Sequence, residues 1–226
     1  MTTTDTKDVP VRDAATVIVV RDADREPSVL MGQRGTSAAF MPDKFVFPGG
    51  AVDTADGEVP LARPVDPGCR DRLTNLSETI TPEALAVAAI RELWEETGQR
   101  LGLRQSWADA PEGWEAFAAH GLSPDASALR FFFRALTPPG RPRRFDARFF
   151  LADAAALASD LDDFSEAEDE LSHLQWVPLP RVRELDLPFI TRVVLAELAD
   201  HLPSTGAPSR VPFVKNDRID GRVIWL

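Results

Sequence analysis

One stretch constrains this chain more than any other: Pro82 to Gly98, Pro-Glu-Ala-Leu-Ala-Val-Ala-Ala-Ile-Arg-Glu-Leu-Trp-Glu-Glu-Thr-Gly. Thr81 suits a helix N-cap, and Pro82 the first helical position, where its missing N–H costs nothing. The alanine-rich middle favours helix, and Gly98 is a natural residue to end it. Leu85, Ala89 and Leu93 recur at four-residue spacing beside Ala86, Ile90 and Trp94, so one side is apolar. The far end breaks the usual rules. Glu92, Glu95 and Glu96 crowd the last turns, where the helix dipole is negative and cations are preferred. Residues three and four apart share a face, and like charges so placed cost a few tenths of a kcal/mol per pair. Arg91 alone cannot neutralise three carboxylates. A hard divalent cation such as Mg²⁺ or Mn²⁺, which takes oxygen ligands, can. The plainer reading is a solvated acidic face.

Two motifs weigh against the plainer reading. Arg-Glu-Leu-Trp-Glu-Glu-Thr-Gly at 91–98 resembles the core of the Nudix box, G-x5-E-x7-R-E-U-x-E-E-x-G-U with U bulky and aliphatic. Phe47-Pro48-Gly49-Gly50 resembles the strand and turn that precede that box. There are departures. About thirty residues separate Gly50 from the helix, so residues 51–80 form an insertion. Glu83 stands eight before Arg91, as the pattern asks, but Ser77 rather than a glycine stands six before Glu83, and Gln99 replaces the final aliphatic residue. The resemblance implies an α/β fold: a Nudix-type α/β/α sandwich with a mixed sheet and an insertion between the Gly-Gly turn and the helix. It further implies that the carbonyl of Gly49 joins Glu92, Glu95 and Glu96 as metal ligands. Arg91 then orients the carboxylates by ion pairing.

Composition sets the outer bounds. The 226 residues are enough for one well-buried core, and 44% hydrophobic content is ordinary for a globular protein. A net charge of −11 argues against a nucleic-acid groove, which demands clustered Lys and Arg. An acidic protein can still act on phosphates where metal ions supply local positive charge. The single cysteine, Cys69, forms no internal disulfide, which fits a cytoplasmic setting. No apolar run approaches a membrane span, and the N-terminal residues lack the apolar core of a signal peptide. Residues 1–13 are expected as a flexible tail of a single domain spanning 1–226.

Along the chain, Ala14–Arg21 and Ser28–Arg34 read as buried, paired strands. Arg34 is either a solvated strand end or a phosphate or ribose contact. Phe45–Phe47 is a short strand, after which the two glycines let the backbone turn and approach a ligand closely. Lys44, the nearest cation, is a candidate diphosphate contact. The 51–80 insertion, with a short helix near Cys69–Ser77, reads as a lid or specificity element. A second short helix is expected at Pro111–His120, strands at Leu129–Leu136, Arg144–Ala152 and Leu174–Pro178, and helices at Pro180–Leu185 and Pro188–Leu202. Residues 203–226 form a hairpin-like extension ending in Trp225 and Leu226. These must be buried somewhere, a second subunit of a homodimer being one place. The long insertion and the run from Thr137 to Phe150 resemble the Nudix branch that includes peroxisomal coenzyme A diphosphatases. That likeness makes Arg141, Arg143 and Arg144 candidate contacts for a 3′-phosphate. The acidic run Asp153–Glu170 precedes a late strand, and Nudix enzymes often carry an additional glutamate, a metal ligand or base, in such a loop. Glu170 is the favoured candidate, with Glu166 the alternative.

The function expected is metal-dependent hydrolysis of a diphosphate within a small molecule, coenzyme A or acyl-CoA being the branch candidate. NADH, ADP-ribose and sugar nucleotides stay open. A catalytically silent nucleotide sensor is the rival from another class.

Overall fold

The computed structural model describes residues 9–36, 41–77, 80–216 and 221–226. Its centre is β1 (Val11–Arg21), which begins three residues earlier than its apolar run because Val11, Arg12 and Asp13 still pair with a neighbour. That neighbour is β8 (Arg144–Asp153), parallel to β1 from Val11↔Arg144 to Val20↔Asp153. The expected tail therefore yields its last residues to the sheet, and residues 1–8 lie outside the described part.

The other edge of β1 is shared. Its end pairs antiparallel with β2 (Ser28–Arg34) at Val20↔Val29 and Arg21↔Ser28, and its beginning with β4 (Gly49–Ala51) at Ala14↔Ala51, Ala15↔Gly50 and Thr16↔Gly49. The two strands thus part, and the glycine turn is wedged into the opening. β9 (Leu171–Pro178) runs antiparallel along the far edge of β2, while β3 (Phe45–Val46) pairs antiparallel with Gly32 and Gln33 on the edge that β1 has left. On the far side of β8 come β7 (Arg130–Leu136), β10 (Pro212–Lys215) and β11 (Arg222–Trp225), which completes a nine-stranded mixed sheet. The expected C-terminal hairpin is present as β10 and β11, yet Val223 and Trp225 remain about half exposed (55% and 47%), with Arg210 over the Trp225 ring.

Strand alternation assigns the two faces. Ala15, Val17 and Val19 point to α2 (Pro82–Thr97), whereas Ile18 and Val20 point to the layer holding α4 (Phe189–His201). The result is an α/β/α sandwich. On the α2 side a further layer is present. It comprises α1 (Pro67–Thr74), the β5 (Gly102–Arg104)–β6 (Leu122–Pro124) hairpin and α3 (Glu115–Ala119). Trp94 of α2 meets Trp114 and Phe117 of this layer, at ring separations of 6.2 and 5.5 Å. Helix α2 is consequently buried all round, from Ala84 to Ile90, which its small alanines permit and a one-sided apolar stripe does not announce.

The 51–80 insertion, expected as a lid or specificity element, packs much of its length into the core. Val59, Val65, Cys69 and Leu73 are core residues packed with α2, and Arg72 donates to the carbonyls of Pro208 and Ser209. It braces the helix from outside. Among the described residues, no helix is long and apolar enough to cross a membrane.

Candidate active site

Helix α2 carries its acidic end to the opening between β1 and β2. Its start is capped by the Thr81 hydroxyl, which accepts from the Ala84 N–H at 3.2 Å. Its end is closed by Gly98 in the left-handed conformation (φ 72°), the Gly98 N–H donating to the Trp94 carbonyl at 2.7 Å. The last turns then face β4. The Gly49 N–H donates to Glu96 Oε2 at 2.7 Å. A Cβ on Gly49 would stand 2.5 Å from the Ala15 carbonyl oxygen, and one on Gly50 would overlap the Glu92 carboxylate. At Gly49 the obstacle is backbone, so only glycine fits; at Gly50 it is the end of the Glu92 side chain, which lies directly against the turn.

Arg91 organises the group with all five of its N–H donors. Nη1 donates to Glu92 Oε1 (2.8 Å) and Glu95 Oε2 (3.0 Å), and Nη2 to the Ala51 carbonyl (3.1 Å). The remaining donors, Nε and Nη2, grip Asp56 at 2.9 and 3.0 Å in a two-point pair. Asp56 is buried in the 3₁₀ turn Thr54–Gly57, where it also accepts from the Asp53 N–H at 2.8 Å. Glu83, the residue at the patterned spacing from Arg91, pairs instead with Arg70.

Burial governs the protonation of the cluster. It pushes Glu92 up to about 7; Arg91 pulls the other way, and Glu95 and Glu170 add to the rise. Burial raises Glu96 well above the usual carboxylate range, reinforced by Glu92 and Glu170 and opposed by the Gly49 N–H and Arg34. Glu95 is raised by burial too, against Arg91. For Arg91, burial favours losing the proton, but Asp56, Glu92 and Glu95 outweigh it and keep the guanidinium charged.

The residues present fit a hard divalent cation. Glu96 Oε1 is buried with no hydrogen-bond partner, and Arg91 occupies one oxygen of each of Glu92 and Glu95, leaving the second for a ligand. Among the described residues no three acidic, histidine or cysteine side chains already converge on one coordination point. Arg91 tethers Glu92 and Glu95, and the Gly49 N–H tethers Glu96.

The acidic loop between β8 and β9 closes one side. Glu170 pairs with Arg34 at 2.7 Å, and both act on Glu96 electrostatically. Glu166, the alternative, pairs with Arg100 and His120 beside Gly98. Glu168, whose N–H donates to the Glu95 carbonyl at 2.7 Å, bears on Glu95. Lys44 pairs with Asp186 at 2.6 Å. Arg143 and Arg144 are not brought to the cluster. Arg144 donates to the Thr137 carbonyl in the β7–β8 connection, aligned with Val11, whereas β4 reaches only Ala14 on the opposite edge of β1. Sequence reasoning missed Asp56 and Glu168. The signal for Asp56 was there: an acid six residues after Gly50.

No family model matches the chain. It is 28% identical over 179 residues to nudix hydrolase 7 of Caenorhabditis elegans, a provisionally named protein, covering 74% of this chain and 51% of that one. It is 29% identical over 221 residues to a human acyl-coenzyme A diphosphatase, covering 70% and 59%. The chain spans between about half and three-fifths of the length of these curated relatives. A crystal structure of a Nudix hydrolase from Alicyclobacillus acidocaldarius matches 85% of this chain and 93% of its own, with a TM-score of 0.65 and 33% identity. The chain belongs to the Nudix hydrolase family. Its Nudix box is therefore split at an unusual point. Gly50 leads, Asp56 stands where the pattern has its first glutamate, and residues 57–90 intervene before Arg91. The insertion interrupts the box, and the Asp56–Arg91 ion pair joins its halves again.

Proposed function

We propose that this Nudix protein hydrolyses the diphosphate linkage of a small molecule, using divalent cations held by Glu92, Glu95, Glu96 and the Gly49 carbonyl. The observation that carries this reading is the partnerless, buried Glu96 Oε1 beside Gly49, where the backbone admits no side chain. Mg²⁺ or Mn²⁺ suits such oxygen donors and, when bound, supplies Lewis acidity at the phosphoryl oxygens. Arg91 holds Glu92 and Glu95 in orientation, Asp56 holds Arg91, and the Gly49 N–H tethers Glu96. Glu170 accepts a proton from the attacking water at a carboxylate oxygen. The water oxygen bonds to phosphorus, the bridging P–O bond breaks, and two phosphate monoesters leave. Arg34, the partner of Glu170, turns its guanidinium to the substrate phosphate.

Within this chemistry we favour coenzyme A or an acyl-CoA, cleaved to a phosphopantetheine product and 3′,5′-ADP. The support is the similarity to the human acyl-coenzyme A diphosphatase. A cytoplasmic setting is proposed on the lone, buried Cys69. The test is a product-resolved screen of coenzyme A, acetyl-CoA, NADH, ADP-ribose and dinucleoside polyphosphates at equal concentration, with Mg²⁺ and with Mn²⁺. Turnover of another diphosphate with coenzyme A untouched removes the substrate assignment and leaves the chemistry. Saturable binding without turnover of any of them overturns the hydrolase in favour of a sensor.

A further inference from the structure

Gln99 departs from the Nudix pattern, which has an aliphatic residue at this position, and the side chain is fully buried. Its amide is saturated by the acidic loop. Nε2 donates to the carbonyls of Asp160 and Asp163, both at 2.9 Å, and Oε1 accepts from the Ser159 hydroxyl at 2.8 Å. The loop thus wraps a side chain that belongs to the end of the Nudix helix. Around this anchor, the Ala158 N–H donates to the Arg100 carbonyl (2.8 Å) and the Arg100 N–H to Ser159 Oγ (3.1 Å), and Arg100 pairs with Glu166. The loop passes directly over Gly98: a Cβ there would lie 3.4 Å from the Glu166 Cβ, in ordinary van der Waals contact. The strapping runs on to the Glu168–Glu95 backbone hydrogen bond. Two residues later Glu170 emerges toward Arg34.

The loop needs such an anchor. It carries Asp160, Asp162, Asp163, Glu166, Glu168, Asp169 and Glu170 against the negative end of a helix that bears three glutamates of its own. Charge and dipole both repel it. A neutral amide binds backbone carbonyls without adding charge, whereas an aliphatic residue offers them nothing.

We infer that Gln99 is a positioning residue: its hydrogen bonds to the 159–163 backbone and Ser159 fix the acidic loop so that Glu170 stands at the reaction centre. The inference rests on the assignment of Glu170 as base made above. Gln99→Met keeps length and flexibility and removes both donors and the acceptor. In the full-length protein, hydrogen exchange across 159–170 should rise at least about tenfold in Q99M. Mn²⁺ affinity, set by Glu92, Glu95 and Glu96 and read by electron paramagnetic resonance, should stay within about twofold. On coenzyme A, or on ADP-ribose if coenzyme A is not cleaved, kcat should fall about 10- to 100-fold with KM little changed, as for a misplaced reacting group. Glu170→Gln should itself lower kcat about 100-fold, and adding Q99M to it should cost nothing more. Wild-type kcat in Q99M, or losses that multiply in full in the double variant, overturn the inference alone. Wild-type kcat in Glu170→Gln overturns the base assignment and the inference with it. Should Q99M fail to fold, Ser159→Ala removes the hydroxyl that Gln99 Oε1 accepts. Unchanged exchange and unchanged kcat in that variant also overturn the inference.

Discussion

The buried carboxylates make the metal-free protein sensitive to alkali in a way that can be calculated. Glu92 titrates near 7 in the fold, against an ordinary value of 4.5. Between these limits the folded chain keeps a proton that the unfolded chain has lost, so stability falls as pH rises. The contribution is fully present below about 4.5 and gone above about 7. At about 1.4 kcal/mol per pH unit the loss from Glu92 comes to about 3 kcal/mol, or roughly 6–12 °C in melting temperature for a chain of this size. Glu96 acts in the same direction. The assay is thermal unfolding in EDTA from pH 5 to 8, comparing wild type with Glu92→Gln so that groups common to both cancel. The wild type should lose about 2.5 kcal/mol more than the variant across that range, since part of the contribution is already gone at pH 5. Saturating Mg²⁺ should flatten the difference, because a bound cation replaces the proton and stabilises by mass action. Parallel pH curves for the two proteins in EDTA would refute the desolvation argument. A Mg²⁺ titration that moves neither would refute the metal site.

Glu96→Gln should reduce turnover about 100-fold or more, since a first ligand matters at least as much as outer partners that cost 10- to 100-fold. The same change should stabilise the metal-free protein at pH 8, as differential scanning calorimetry would show. Asp56→Asn should cost about 3 kcal/mol in chemical denaturation by leaving Arg91 short of a buried partner, and should lower turnover as Glu92 and Glu95 lose their orientation. Glu83→Gln should change turnover not at all and stability by less than about 0.5 kcal/mol, because the Arg70–Glu83 pair is half exposed. Were Glu83→Gln instead to inactivate the enzyme, the Asp56 assignment would be wrong.

Local chemistry was legible and long-range partnership was not. Thr81, Pro82 and Gly98 announce the helix ends through propensities that act within a turn, and the crowding of Glu92, Glu95 and Glu96 is visible from spacing alone. The Gly49–Gly50 turn is equally local. Asp56 escaped notice because its partner lies 35 positions away across the insertion, and Glu83 stood at the expected distance by coincidence of count. The fully buried α2 escaped for a different reason. Alanines carry no face, so nothing in Ala84–Ala89 reveals that a second layer covers them. The short strands β4, β5 and β6 owe their existence to neighbours rather than to their own three residues. Lys44 and Arg34 read as free cations, but carboxylates at 186 and 170 claim them.

The central pairing of β1 with β8 also sets an order on synthesis. Val20 and Asp153 are neighbours in the sheet yet 133 positions apart in the chain, and parallel contacts of that range form slowly. As the chain leaves the ribosome, β1 emerges before β8 and waits with that edge unpaired until Asp153, 133 positions after Val20, has been made. Such edges are where nascent chains stick to one another. Protease protection of β1 in stalled chains should therefore begin only when Asp153 has cleared the exit tunnel, and a chain released shortly before that point should aggregate.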